Sequence, residues 1–315
     1  MQGWILAFLA VLTFVSSNII FRRVEGEVSP TYINAVRTFI GIITFWIVAA
    51  ISGVFPLIFQ FPIILWVWLI LSFIFGQVVG DTAYFMAQKE LGVTQTIAIA
   101  LTFPLFTYIL SIIFLDDEFN YIIIISFIFI SIGVILINSG VRNAKNIASN
   151  LEINKYTENE QNKKSWRAIL LAFIASIAWA IGLVIIDYSV NEITIITGVQ
   201  ETSSVLANVV RFPFAFIILM GMVKHSDGKI SVKKSKRAWG WLLIGSIIGT
   251  SLGAYLYTEA ARTAGATIMS LFSTAAPLIA IPLDYIFNNE KISWRSLIGV
   301  VFITIGIAFV IFMTP

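Results

Sequence analysis

Two stretches decide the fold: residues 76–114, GQVVGDTAYFMAQKELGVTQTIAIALTFPLFTYILSIIF, and residues 249–287, GTSLGAYLYTEAARTAGATIMSLFSTAAPLIAIPLDYIF. Slid by 173 residues, they align without a gap, and eleven pairs are identical. These are Gly76/Gly249, Gly80/Gly253, Tyr84/Tyr257, Ala87/Ala260, Gly92/Gly265, Thr94/Thr267, Pro104/Pro277, Leu105/Leu278, Leu110/Leu283, Ile113/Ile286 and Phe114/Phe287. Apolar composition alone supplies chance matches of Leu and Ile, but it does not bring three glycines, a proline and a tyrosine into register together. The same offset pairs Gly133 with Gly306, and an offset of 174 pairs Asn34-Ala-Val-Arg37 with Asn208-Val-Val-Arg211. The chain therefore reads as a duplication. Residues 1–140 and 166–315 form the two copies, separated by a polar linker over 141–165.

Composition gives the environment of these copies. Of 315 residues, 58% are hydrophobic, 12% are charged and none is Cys. A soluble domain carries about 25% charged residues, so this chain cannot clothe a water-facing surface. Nucleic-acid-binding, collagen-like and disordered classes are excluded on the same ground, and the lack of Cys removes disulfide scaffolds, thiol nucleophiles and Cys metal sites. A membrane-spanning helix needs about 20 mostly apolar residues, because each adds about 1.5 Å towards about 30 Å of hydrocarbon. Ten stretches meet this: Gly3 to Ile20, Thr31 to Ser52, Ile63 to Ala87, Thr94 to Leu115, Tyr121 to Asn138, Trp166 to Ile186, Thr202 to Val223, Trp239 to Ala260, Ala266 to Phe287 and Trp294 to Met313. The first follows no basic region and no small-residue cleavage pattern, so it reads as a retained helix and not a signal peptide.

The basic residues set an expected orientation. Loops after odd-numbered spans hold Arg22, Arg23, Lys89, the cations from Arg142 to Arg167 and from Lys224 to Arg237, Lys291 and Arg295; loops after even-numbered spans hold only Arg262. The positive-inside tendency then places the odd loops and the linker in the cytoplasm and both termini outside. Five spans per copy is an odd number, so the second copy enters the membrane upside down. The expected fold is an all-α integral membrane protein of ten transmembrane helices, arranged as two inverted five-helix repeats. Inverted repeats place a solute site near the bilayer midplane and alternate the side to which it opens.

Here the pattern resembles a known family. The ten spans, the duplication, the Arg in spans two and seven, and the run Gly80-Asp81-x-x-Tyr84-x-x-Ala87, Pro104, Phe114-Leu115-x-x-Glu118 are similar to the EamA-type branch of the drug/metabolite transporter superfamily. The second copy keeps Gly253, Tyr257, Ala260, Gly265, Pro277 and Phe287, followed by Glu290. The resemblance covers nearly the whole chain outside the linker. It implies a multi-pass protein of the cytoplasmic membrane that exports amino acids or related metabolites, with exchange of nucleotide sugars or sugar phosphates as the alternative in more distant relatives.

Candidate solute and coupling residues come from the polar groups inside the spans. Asp81 is a carboxylate in the third span, and such a group is costly unless paired, hydrated or protonated. Arg37, two turns into the second span, falls at a similar depth, so the two are read either as a proton- or solute-sensing pair or as a structural ion pair. Arg211 is the repeat partner of Arg37, whereas the partner of Asp81 is Ala254; Glu201 at the entrance of span seven and Glu259 near the end of span eight are the acids placed to compensate. Pro104 and Pro277 lie near the centres of their spans, where each frees the carbonyl four residues earlier, on Ala100 and Ser273. The hydroxyls of Thr94, Thr96 and Thr102, and of Ser270, Ser273 and Thr274, surround these points and line either a solute path or a packing kink. Ser72, Gly76 and Gly80, with Gly245, Gly249 and Gly253, form matched small-residue faces that read as helix-packing grooves. Asn34, Gln77, Tyr84, Trp179, Asn208, Tyr255 and Tyr257, with Ser16, Ser17 and Asn18, are further lining candidates. His225, the single His, sits in a basic loop and reads as solvated.

No catalytic group, metal site or cofactor is expected. No Gly-x-x-x-x-Gly-Lys-Ser/Thr loop occurs, so nucleotide-driven transport would need another subunit. An intramembrane enzyme would have one loop His, no Cys and one deep carboxylate to work with. A receptor or scaffold would not require duplicated prolines and buried charges. The expected partners are a small-molecule solute and the lipid bilayer, with protons as a candidate coupling ion and no nucleic acid; the sequence leaves the oligomeric state open.

Overall fold

The structure is a computed structural model that describes residues 3–24, 28, 30–91, 93–148, 158–226, 235–288 and 293–313. Among these the chain is helical and holds no strand. In order come α1 (Gly3–Arg22), α2 (Pro30–Ile51), a short 3-10 turn (Phe55–Gln60), α3 (Ile63–Phe73), a π-helical stretch (Ile74–Asp81), α4 (Thr82–Leu91), α5 (Val93–Ala100), α6 (Phe103–Phe114) and α7 (Tyr121–Ala148). The second copy gives α8 (Glu158–Thr197), α9 (Ser203–Ser226), α10 (Lys236–Ser246), a second π-helical stretch (Ile247–Leu252), α11 (Gly253–Thr274), α12 (Ala276–Asn288) and α13 (Trp294–Met313). Helix enters the polar linker from both sides, since α7 continues to Ala148 and α8 begins at Glu158; residues 149–157 lie outside the described residues.

Eight described helices are long and apolar enough to cross a membrane, and 121–137 forms a shorter apolar one. One of the eight is a 48-residue run from Lys236 to Leu283, long enough for two crossings. It is divided at Gly265, whose φ of 85° and ψ of 157° take the backbone out of the helix. With that division the count agrees with the ten expected spans. Only glycine occupies this backbone region without strain, and a side chain there costs about 1–3 kcal/mol. Gly265→Ala is accordingly expected to lower the thermal unfolding midpoint of the purified protein. Gly221→Ala, where an added Cβ meets nothing within 4 Å, is expected to leave it unchanged.

The chain forms two compact units that interleave the sequence copies. The first comprises Met1–Phe73 and Ile185–Gly265, the second Ile74–Val184 and Ala266–Pro315. In the first unit α2 crosses its repeat counterpart α9. Phe39 meets Phe216 at 5.3 Å between ring centroids, Phe45 meets Phe212 at 5.1 Å, and Trp46 donates its indole N–H to Val209 O at 3.3 Å. Residue numbers rise on one helix as they fall on the other, so α2 and α9 run antiparallel. The Trp46 bond also has a local cause: Pro213 inside α9 cannot bond back to Val209, and the indole supplies the missing donor. Against α10 and the second π-helical stretch lies α1. Phe21, Ser17 and Thr13, spaced by four, fill the positions over Gly245, Gly249 and Gly253. The groove expected on the second copy is therefore a packing groove, and buried Ser17 belongs to that packing.

In the second unit α7 crosses its counterpart α13, also antiparallel. A Cβ on Gly133 would lie 2.5 Å from Gly299 O, and one on Gly306 would lie 2.9 Å from Ser126 O. Shifted by the repeat offset, the pair Gly133/Gly299 becomes Gly306/Ser126, so the crossing is built from two images of one contact.

The two copies also interrupt their helices at matching places. The π-helical stretches begin at Ile74 and Ile247, one repeat offset apart. Helix α5 ends at Ala100 and α6 restarts at Phe103; α11 ends at Thr274 and α12 restarts at Ala276. Pro104 and Pro277 thus stand at the second residue of a new helix and not inside a bent one. The missing N–H costs little there, because the first turn has no intrahelical acceptor for it.

Candidate functional site

Asp81 ends the first π-helical stretch, and its carboxylate Oδ1 accepts the indole N–H of Trp179 at 2.9 Å. Trp179 comes from the middle of α8 and reaches Asp81 across Gly80, where any Cβ would overlap its five-membered ring. Tyr84, one turn after Asp81, places its ring 5.2 Å from that of Trp179, and Phe103, the first residue of α6, meets it edge-on at 6.0 Å. One turn before Trp179, Ser176 shares its hydroxyl between Ala172 O of its own helix at 3.1 Å and, at 3.4 Å, Ala100 O, the carbonyl that Pro104 cannot engage. One face of α8 therefore covers both interruptions of the first copy. Chemically, this is a carboxylate oriented by an indole whose ring packs against Tyr84 and Phe103; carboxylates and aromatic ring faces both attract cations.

A second polar cluster lies in the first unit, between α9 and α11. Ser204 donates to Glu259 Oε2 at 2.6 Å, and Arg262 grips the same carboxylate through Nε at 3.1 Å and through Nη2. One turn along, Asn208 is held by Ser204 O at 3.0 Å and Thr258 Oγ1 at 3.2 Å. Its Oδ1 accepts from Arg211 Nη1 at 3.2 Å. Ser204, Asn208 and Arg211 share one helical face at spacings of four and three.

The other expected site residues are distributed differently. Asn34 and Arg37 are half-buried on α2, where Asn34 O accepts from Thr38 at 2.7 Å. Gln77 is exposed. Thr102 and Ser273 turn back on their own helices, donating to Ile99 O at 2.8 Å and Met269 O at 2.9 Å. Tyr257 is half-buried on α11, while the side chains of Thr94 and His225 lie outside the described residues. Arg37 belongs to the first unit and Asp81 to the second; Trp179 is the partner that the structure gives Asp81 within its own unit.

Sequence reasoning missed Asp187. It ends the sixth span at Ile186, whereas α8 continues to Thr197 and buries Asp187 to 5% exposure. Asn191, one turn on, donates to its Oδ1 at 2.7 Å, and its Oδ2 lies 3.8 Å from the position of a Cβ on Gly265. The signal that would have found it is the continued apolar spacing Ile186, Val190, Ile193, all buried.

Beyond the spans, Asp117 follows α6 and accepts from Thr267 Oγ1 at 3.5 Å. Burial pushes its carboxyl above the ordinary 3.8, and the Thr267 bond only partly opposes this. The neutral acid is thus the form the fold prefers. Its contribution to stability is fully present below the ordinary carboxyl pKa and is lost as pH rises through the elevated value. Asp117→Asn should flatten this segment of the stability-versus-pH curve, as measured by thermal unfolding across mildly acidic buffers.

A model of the EamA-like transporter family matches residues 1–139 and again 166–312, once over each sequence copy. An uncharacterized transporter of Archaeoglobus fulgidus is 22% identical over 239 residues, covering 76% of this chain and 73% of the relative. A solved crystal structure superposes with a TM-score of 0.73 at 15% identity, covering 98% of this chain and 95% of that one. At that identity the likeness is one of fold.

Proposed function

The chain belongs to the EamA-like transporter family, and from that premise we propose a secondary transporter that exports a small organic solute, such as an amino acid or related metabolite, by alternating access. The observation carrying this reading is the pairing of interruptions: a π-helical stretch and a proline break recur at equivalent positions of both copies. Such breaks expose backbone polar groups at membrane depth, which is tolerated only against protein or a watery path. The antiparallel crossings of α2 with α9 and of α7 with α13 support an inverted relation between the copies, and hence two equivalent ways of opening. Asp81, with the rings of Trp179 and Tyr84 beside it, is a candidate contact for a cationic group of the solute and the candidate proton-coupling group. The odd-numbered loops and the linker face the cytoplasm, and both termini face outward, as the Lys and Arg distribution favours.

Counterflow in reconstituted vesicles tests this. Labelled amino acids and amines are expected to exchange faster across protein-containing vesicles loaded with unlabelled solute than across protein-free ones. Equal rates across the panel would overturn the reading. Exchange of phosphorylated sugars alone would support the second reading, which draws on the buried Arg211.

A further inference from the structure

We infer that Arg211 is an oxyanion-binding site, which takes the carboxylate or phosphate of the solute; this deepens the transport reading and rests on it. Arg211 lies eight residues into α9 and is 8% exposed, well inside a membrane-spanning helix. Among the described residues it forms no ion pair, and its one side-chain hydrogen bond goes to the neutral Asn208. Its Nε is buried with no partner.

The acid on the facing helix is already committed. Glu259 takes two bonds from Arg262 and one from Ser204, so its charge is balanced one turn or more away from Arg211. The two arginines thus contrast: the one nearer the end of the cluster is neutralised, and the deeper one is not. Asn208 cannot balance it, because an amide oxygen carries no net charge. Its Nδ2 is tied to Ser204 and Thr258, which leaves Oδ1 to hold the guanidinium in place without satisfying it.

A buried cation of this kind is costly unless paired. A planar guanidinium with unused N–H groups matches the two oxygens of a carboxylate or phosphate, and the match strengthens where water is excluded. Orientation by Asn208 lowers the ordering cost of binding such a ligand.

The test uses the full chain in lipid nanodiscs at constant sodium chloride. The probes are inorganic phosphate, acetate, L-leucine and isoamylamine, the last being leucine without its carboxylate. L-leucine or phosphate is expected to raise the thermal midpoint by several degrees and isoamylamine to raise it less, since a ligand selective for the folded form stabilises it by mass action. A response to leucine and acetate identifies a carboxylate, and a response to phosphate alone identifies a phosphate ester. Arg211→Gln should abolish the shift and Arg211→Lys should keep a reduced one. Asn208→Asp supplies an internal carboxylate 3.2 Å from Nη1, so it should raise the midpoint without ligand and suppress the anion response. This second variant decides the matter even where Arg211→Gln fails to fold. The inference is overturned if no anion shifts the wild type, if isoamylamine matches leucine while phosphate does nothing, or if Asn208→Asp destabilises and leaves the response intact. Anion binding without counterflow removes the transport reading and keeps the site; counterflow of amines alone does the reverse.

Discussion

Trp179→Phe is expected to reduce counterflow at least tenfold at solute concentrations below KM, in protein that still folds and reconstitutes. The substitution keeps an aromatic ring against Tyr84 and Phe103 and removes only the N–H that holds Asp81 Oδ1 at 2.9 Å. A hydrogen bond to a charged group contributes about 1.5–3 kcal/mol, and tenfold corresponds to about 1.4 kcal/mol. Asp81→Asn should lower transport as far and remove any pH dependence of the rate in the range where a carboxylate titrates. Gly80→Ala provides an independent route to the same phenotype, since a Cβ there displaces the indole ring. The assignment fails if Trp179→Phe and Asp81→Asn both transport at the wild-type rate with an unchanged pH profile.

Much of this architecture could be read from the chain because membrane physics leaves few solutions. Apolar runs of the right length must be helices, and the repeat offset of 173 residues sets Pro104 and Pro277 at equivalent places, whereas the π-helical stretches that begin at Ile74 and Ile247 carry no signal of their own in the sequence. What it could not give was the conformation at those points. Pro104 near the centre of a span is equally compatible with a bent helix and with two helices meeting end to end; the choice depends on whether a neighbour such as Ser176 supplies a donor to Ala100 O. The site was legible as residue types and not as pairs. Asp81 and Trp179 were each candidates, but a contact between residues 98 apart depends on the bare surface of Gly80. Asp187 was hidden by a rule that otherwise served well, since a carboxylate after an apolar run ordinarily marks the water boundary. Here the helix goes on, and Asn191 supplies a hydrogen bond to the carboxylate it buries.

Gly133→Leu should prevent accumulation of folded protein, or lower its thermal midpoint more than any site substitution, and Gly299→Leu should do the same. The two glycines face one another where α7 and α13 cross, and each blocks the other's Cβ with a backbone carbonyl at 2.5 Å. A flexible side chain would swing aside, but a carbonyl in a helix moves only with the helix. Overpacking of a core costs about 1–3 kcal/mol when side chains adjust, and more when whole elements must separate. Separation here would also part Phe129 from Phe302, stacked at 5.8 Å, and open the buried pair Ile130 and Ile303. The repeat supplies an internal check. Gly306 occupies the image of Gly133, facing the carbonyl of Ser126 at 2.9 Å, so Gly306→Leu should destabilise for the same reason. Gly240→Leu, at a helical position where a Cβ meets nothing within 4 Å, should have little effect on the midpoint. Equal tolerance of leucine at 133, 299, 306 and 240 would mean that α7 and α13 do not cross at these glycines. The geometric basis for an inverted duplication in the second unit would then be lost, whatever the outcome at Trp179.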